Sequence, residues 1–211
     1  MNNVIYERIG ALLIQDGVTL SGGQVDQLEA FCRLVAECNE ACSLVSAGDC
    51  LRLGEIHIPD SLSLAPLVQR YAGPEGVLLD IGGGGGFPAV PISIALPGLT
   101  VYLVERSEKK AAFLRRAVEA LGLSRSTVVL GEFPAAAKGL TPQVITARAV
   151  ERPEKLRRQV LRYMPKGCVF LCQMPKTLGE FPATFHVERI EDNWSREGLR
   201  RGVLEIVRAE G

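Results

Sequence analysis

The run Leu78-Leu79-Asp80-Ile81-Gly82-Gly83-Gly84-Gly85-Gly86-Phe87-Pro88 puts a carboxylate at the end of an apolar segment and follows it with residues that lack a Cβ. A backbone that turns on such residues, Gly84 and Gly86 among them, lets a ligand press against the main chain. What the run lacks narrows the ligand. A dinucleotide fingerprint G-x-G-x-x-G would place its third glycine on Phe87 or Pro88, and a phosphate P-loop would need Gly-Lys followed by Ser or Thr. Asp80 at the mouth of the loop would repel a pyrophosphate, yet it would accept hydrogen bonds from an ammonium or sit near a sulfonium. S-adenosylmethionine carries both groups. Glu105, closing the next apolar run, is placed to accept both hydroxyls of a ribose, a feature that fits NAD equally well.

Other reactive side chains are less telling. The six cysteines, Cys32, Cys38, Cys42, Cys50, Cys168 and Cys172, contain no C-x-x-C pair, so buried free thiols and no metal site are expected. There is no N-P-P-Y motif of the kind used on exocyclic amines and no Pro-Cys nucleophile of the kind used on pyrimidine C5; Cys172 lies in Cys-Gln-Met-Pro. Residues 148–166 hold seven basic side chains against two acidic ones at helical spacing. They read either as a solvated face or as an RNA footprint in which Arg152, Lys155, Arg157, Arg158 and Arg162 meet phosphates.

The elements that must carry these residues change character near residue 73. Before it, Ile9, Leu12 and Leu13 recur at helical spacing, and Ser21 caps a run with Val25, Leu28, Phe31, Cys32 and Val35, so residues 1–72 form a helical cap. After it, short apolar runs at 77–81, 100–105, 127–131, 143–147 and 169–172 alternate with helical stretches such as 107–121. That alternation predicts a parallel sheet with its ligand at the carboxyl ends of the strands. The runs 185–190 and 203–207 have no long helix between them and suit an antiparallel edge pair. Residues 73–211 therefore form an α/β, Rossmann-like domain with a seven-stranded, mainly parallel sheet.

Composition fits that reading and removes others. The chain has 211 residues, 24 basic and 24 acidic, and is 47% hydrophobic, which excludes a disordered or fibrous chain and a polybasic protein held on nucleic acid by bulk charge. Any RNA site must be local. Residues 1–60 hold three basic against nine acidic side chains, so the positive charge lies in the remainder. The charge-free stretch 81–104 is broken by Gly and Pro and reads as strand, loop, helix and strand rather than as a membrane span. No secretory signal is visible in residues 1–10, so a cytoplasmic protein is expected.

The segment Asp80 to Pro91 resembles the cofactor loop D-[VI]-G-[ST]-G-[AP]-G-[FL]-P-G-[IL]-P of the glucose-inhibited division protein B family, methyltransferases acting on guanine N7 of small-subunit ribosomal RNA. The stretch Val104 to Leu114 is similar to that family's second strand and K-[KR]-x-x-F-L helix, His57-Ile58-Pro59-Asp60-Ser61-Leu62 to its R-H-x-x-D-S-L segment, Asn39 to Ser46 to its W-N-x-x-x-N-L-[TV]-[SA] segment, and Ala147-Arg148-Ala149 to its S-R-A strand end. The chain departs from the pattern at Cys38, Ile56, Gly83, Ala89 and Gln143. The resemblance implies a class I methyltransferase fold, S-adenosylmethionine as cofactor, and ribosomal RNA or the small ribosomal subunit as partner, with neither DNA nor membrane and a monomeric chain. It implies that Gly82, Phe87, Gly131, Glu132 and Arg148 line the cofactor pocket beside Asp80, Gly84, Gly86 and Glu105. Arg148 and His57 would serve catalysis, and His57, Asp60, Ser61 and Lys176 would face the substrate. Alternatives are a methyltransferase for a small molecule or protein, which zero net charge favours, a non-catalytic relative that binds S-adenosylmethionine or RNA, and an NAD-dependent oxidoreductase, which Asp80 and Phe87 oppose.

Overall fold

The computed structural model describes residues 3–148 and 152–209. Helices α1 (Asn3–Gln15), α2 (Gly22–Cys42), α3 (Ala47–Cys50), α4 (Leu53–Leu62) and α5 (Ala65–Ala72) come first. Ser21 caps α2 reciprocally: its hydroxyl accepts from Gln24 N while the Gln24 side chain accepts from Ser21 N, a pairing worth about 1 kcal/mol. The other end of α2 is closed by Asn39, whose Oδ1 accepts from Leu44 N and Val45 N, both at 2.9 Å.

The sheet follows: β1 (Val77–Ile81), α6 (Ala89–Ala95), β2 (Thr100–Glu105), α7 (Glu108–Ala120), β3 (Ser126–Leu130), β4 (Val144–Arg148), α8 (Pro153–Tyr163), β5 (Val169–Met174), β6 (Phe185–Ile190), α9 (Asn193–Arg196) and β7 (Val203–Ala209). The strand order is β3-β2-β1-β4-β5-β7-β6. The first five run parallel, and β7 pairs antiparallel with both β5 and β6.

Successive strand residues face opposite sides. Leu78, Val101, Leu103 and Leu171 join Ile9, Leu28 and Phe31 of the N-terminal helices in one core, whereas Leu79, Ile81, Ile145 and Phe170 pack with Leu156 and Val160 of α8 in the other. The helical region is thus built onto one face of the sheet.

Three apolar runs coincide with strands. Elsewhere the ladder runs past a polar residue that ends the apolar run: after Cys172, Gln173 and Met174 pair with Leu204 and Val203, and β7 runs on through Arg208. β3 ends at Leu130, leaving Gly131 in the turn that follows. The expectation of uniformly buried thiols is corrected: Cys32, Cys168 and Cys172 are buried, but Cys38, Cys42 and Cys50 are half-buried on the helical region. Among the described residues no helix is long and apolar enough to cross a membrane.

Candidate active site

The carboxyl ends of β1 and β4 lie side by side where the strand order reverses, the position at which open α/β sheets take their ligands. A cleft of about 230 Å³ opens there, with Gly82, Gly84, Glu105, Gly131, Glu132 and Arg148 on its walls. The glycine loop is tied back to β2, since Gly82 N and Gly83 N both donate to Val104 O at 2.9 and 3.1 Å. Gly84 N donates to Glu105 Oε2 at 2.8 Å and Ser107 N to Oε1 at 2.7 Å. Glu105 is therefore fixed by main-chain donors, and each carboxylate oxygen keeps a lone pair for a ribose hydroxyl.

Gly86 serves packing. Its φ is +87°, and a Cβ there would lie 2.8 Å from Phe31 and 2.9 Å from Val90, so only glycine lets α2 close against the loop.

Asp80 lies beneath the loop, 1% exposed. Its Oδ1 accepts the Thr146 hydroxyl at 2.7 Å, while Oδ2 is buried with no partner among the described residues. Burial pushes the carboxyl up to about 7, against the pull of the Thr146 hydrogen bond. Asp80 does not line the cleft itself but lies under its glycine wall; an acceptor there without a donor suits a ligand that brings an ammonium through the loop, and with Glu105 ready for a diol these residues fit S-adenosylmethionine.

At the other side of the cleft Arg148 ends β4 with its side chain 13% exposed. Its Nη2 donates to His57 Nδ1, its guanidinium lies 5.2 Å over the Phe87 ring, and Nη1 stands 3.8 Å from Asp60 Oδ2. His57 Nε2 lies 3.2 Å from Asp49 Oδ2, and the imidazole is 4.9 Å from Phe87 between centroids. Burial and then the Arg148 cation lower His57 to about 4, with Asp49 opposing them. The ring is neutral at physiological pH.

The remaining candidates divide. Glu132 is exposed and takes the Lys155 ammonium, which holds its carboxyl below the usual range. Phe87 and Gly86 stand behind the cleft wall, Phe87 packed on Phe31 and His57. Asp60 is buried, accepting from Arg201 N, Arg201 Nε and Gln173 Nε2 at 2.6, 3.1 and 3.1 Å. Ser61 is fully buried and donates to His57 O; in this conformation neither Asp60 nor Ser61 has surface to offer a base. Lys176 is exposed on the β5–β6 connection, apart from the cleft. Ala149 lies outside the described residues.

Of the basic stretch, Arg152 and Lys155 line the cleft, and Lys155, Arg158 and Arg162 line a shallow groove beside it. Arg157 is corrected as a phosphate ligand: its Nη1 donates to Leu178 O and Glu180 O, which makes it a strut for the β5–β6 connection. Sequence reasoning missed Asp49, Phe133, Leu156 and Gln159. The last three belong to the seam where Gln159 Nε2 donates to Phe133 O, and the step from the end of β4 into α8 is the signal that would have pointed to them.

This strand order with its reversed terminal hairpin, a glycine loop after β1 and a carboxylate at the end of β2 define a class I, S-adenosylmethionine-dependent methyltransferase. Residues 24–192 match the GidB family model, rRNA small subunit methyltransferase G. The chain is 36% identical over 169 residues to "Ribosomal RNA small subunit methyltransferase G" of Sorangium cellulosum, covering 78% of this chain and 69% of that protein. It is 30% identical over 189 residues to the protein of that name from Ralstonia nicotianae, covering 88% and 82%. The chain belongs to the rRNA small subunit methyltransferase G family. In fold it is similar to a variant of MtNAS in complex with S-adenosylmethionine, at a TM-score of 0.60 and 17% identity, covering 99% of this chain and 79% of that one. An rRNA methylase from Streptococcus thermophilus gives a TM-score of 0.55 at 11% identity, covering 72% and 97%.

Proposed function

We propose that this protein transfers a methyl group from S-adenosylmethionine to N7 of a guanine in 16S ribosomal RNA. The observation that carries the reading is that Arg148, tied to the helical region through His57, lines the same cleft as Gly82, Gly84 and Glu105. The relatives named ribosomal RNA small subunit methyltransferase G favour an RNA substrate.

Bound S-adenosylmethionine supplies a sulfonium methyl open to direct displacement. Guanine N7 offers an in-plane lone pair and has no proton to lose, so the chain needs alignment and a suitable electrostatic pocket rather than a base. A neutral His57 meets that requirement. Glu105 would hold the ribose hydroxyls and Asp80, beneath the loop, the ammonium, with Glu132 and Gly131 on the adenine side. Arg148 would orient the base for the transfer. Arg152, Lys155, Arg158 and Arg162, along one side of α8, hold RNA phosphates, with Lys176 farther out on the same strand. Residues 1–72 act as the cap over residues 73–211, and the chain works as a monomer in the cytoplasm.

The test offers labelled S-adenosylmethionine together with small ribosomal subunits, naked ribosomal RNA and a pool of small metabolites. Label at a single guanine N7 of the RNA is the expected result. Label in metabolites or protein, with none in RNA, overturns the reading.

A further inference from the structure

The structure assigns Asp49 as a positioning residue that, through His57, sets the guanidinium of Arg148 in the transfer pocket; this rests on the role given to Arg148 above. Asp49 lies in the four-residue helix α3, where Ser46 Oγ accepts from Asp49 N at 3.1 Å. That bond fixes the backbone, and the carboxylate turns inward with Oδ2 3.2 Å from His57 Nε2 and Oδ1 3.8 Å from Arg201 Nη1, an ion pair that both variants remove while only Asp49→Asn keeps an acceptor for the ring.

The tautomer follows from donors and acceptors. A guanidinium donates only, so His57 Nδ1, which receives Arg148 Nη2, carries no proton. The ring hydrogen is then on Nε2, and Asp49 is the acceptor it meets. Both nitrogens of the imidazole are thereby occupied, and its face rests on the Phe87 ring that also supports the Arg148 cation. With Nη2 committed to His57, Arg148 Nη1 has no hydrogen-bond acceptor among the described residues. Nη1, itself buried, stands 3.8 Å from Asp60 Oδ2, so His57 and Asp60 fix the guanidinium from its two ends.

Core packing does not explain Asp49. α3 buries none of its residues, and the Asp49 side chain is 30% exposed. Removing its carboxylate deletes no core contact; it leaves the buried Nε2–H without an acceptor and frees the ring to turn, and Arg148 with it.

The variants are Asp49→Ala and Asp49→Asn, since an Asn amide oxygen still accepts Nε2–H. Three quantities are read: single-turnover methyl transfer to small ribosomal subunits, affinity for S-adenosylhomocysteine, and the ring-nitrogen NMR signals. The chain has two histidines, His57 and His186, so the signals are readily assigned. Wild type shows a protected Nε2–H on His57. Asp49→Ala loses that signal and slows transfer about tenfold to a hundredfold, the scale of a misplaced positioning group, with S-adenosylhomocysteine affinity unchanged. Asp49→Asn keeps the signal and recovers most of the rate. Transfer by Asp49→Ala at the wild-type rate, or an Asn variant as slow as the Ala variant, overturns the assignment. A wild-type protein that binds S-adenosylhomocysteine yet labels no RNA refutes the substrate instead; the relay is then judged on the spectrum, and a protected Nε2–H persisting in Asp49→Ala overturns it.

Discussion

Asp80→Asn removes a buried charge at nearly constant shape, and its consequence for folding is read most clearly as a function of pH. Burial raises the folded carboxyl from 3.8 to about 7. Between those values the folded protein holds a proton that the unfolded chain has released, so stability is lost as pH rises across that window. Each unit well inside it removes about 1.4 kcal/mol, and because the folded group is half titrated at pH 7 the loss from pH 5 to pH 7 is about 2 kcal/mol. His57 acts in the opposite sense. Its folded value is lowered from 6.5 to about 4, so between those values the unfolded chain holds the extra proton and stability rises with pH. The wild-type profile is therefore shallow where the windows overlap, and the difference between Asp80→Asn and wild type isolates Asp80. Urea unfolding of the ligand-free proteins should show the variant gaining on wild type by about 2 kcal/mol from pH 5 to pH 7. A difference that does not grow with pH refutes a protonated, buried Asp80. The same variant should bind S-adenosylmethionine more weakly by about 1–3 kcal/mol, the scale of a hydrogen bond to a charged group. It is then more stable without ligand at neutral pH and poorer with it.

Replacing both Arg158 and Arg162 by Ala should flatten the salt dependence of RNA binding by about 0.7–0.9 in the log–log slope per phosphate lost, with cofactor affinity unchanged in calorimetry. Arg157→Ala should instead lower the urea midpoint and leave the salt slope alone, because its guanidinium holds the carbonyls of Leu178 and Glu180. Gly86→Ala should destabilise by about 1–3 kcal/mol in urea unfolding, the cost of a left-handed conformation for a residue with a Cβ, increased by the approach to Phe31 and Val90.

Short continuous apolar runs located the strands because a sheet covered on both faces must be apolar at successive positions. They located the strand ends poorly wherever a polar residue is held by its backbone, as at Gln173. The side of the cleft that carries Gly82, Gly84 and Glu105 was legible because its residues are local in sequence: a carboxylate and a run without Cβ atoms where β1 ends, and a second carboxylate at the end of β2. The substrate end was not, because it is assembled from α3, α4, β4, β5 and the β6–β7 connection. Ser46-x-x-Asp49 reads as a helix cap, and that reading absorbs the residue whose carboxylate reaches His57. Asp60 and Ser61 follow His57 closely in sequence, yet α4 turns them into the interior, where Asp60 anchors Arg201 and Ser61 bonds back to His57 O. Arg157 shares the spacing of its basic neighbours, and only the fold puts the β5–β6 connection beneath it.

The most direct measurement is single-turnover transfer from labelled S-adenosylmethionine to small ribosomal subunits, with guanine N7 scored by strand cleavage at the methylated base, for wild type and Arg148→Ala. Wild type should label one guanine. Arg148→Ala should label the same guanine up to about a hundredfold more slowly, since it loses a group that orients the base. Equal rates for the two proteins, or wild-type label at a position other than guanine N7, would contradict the account.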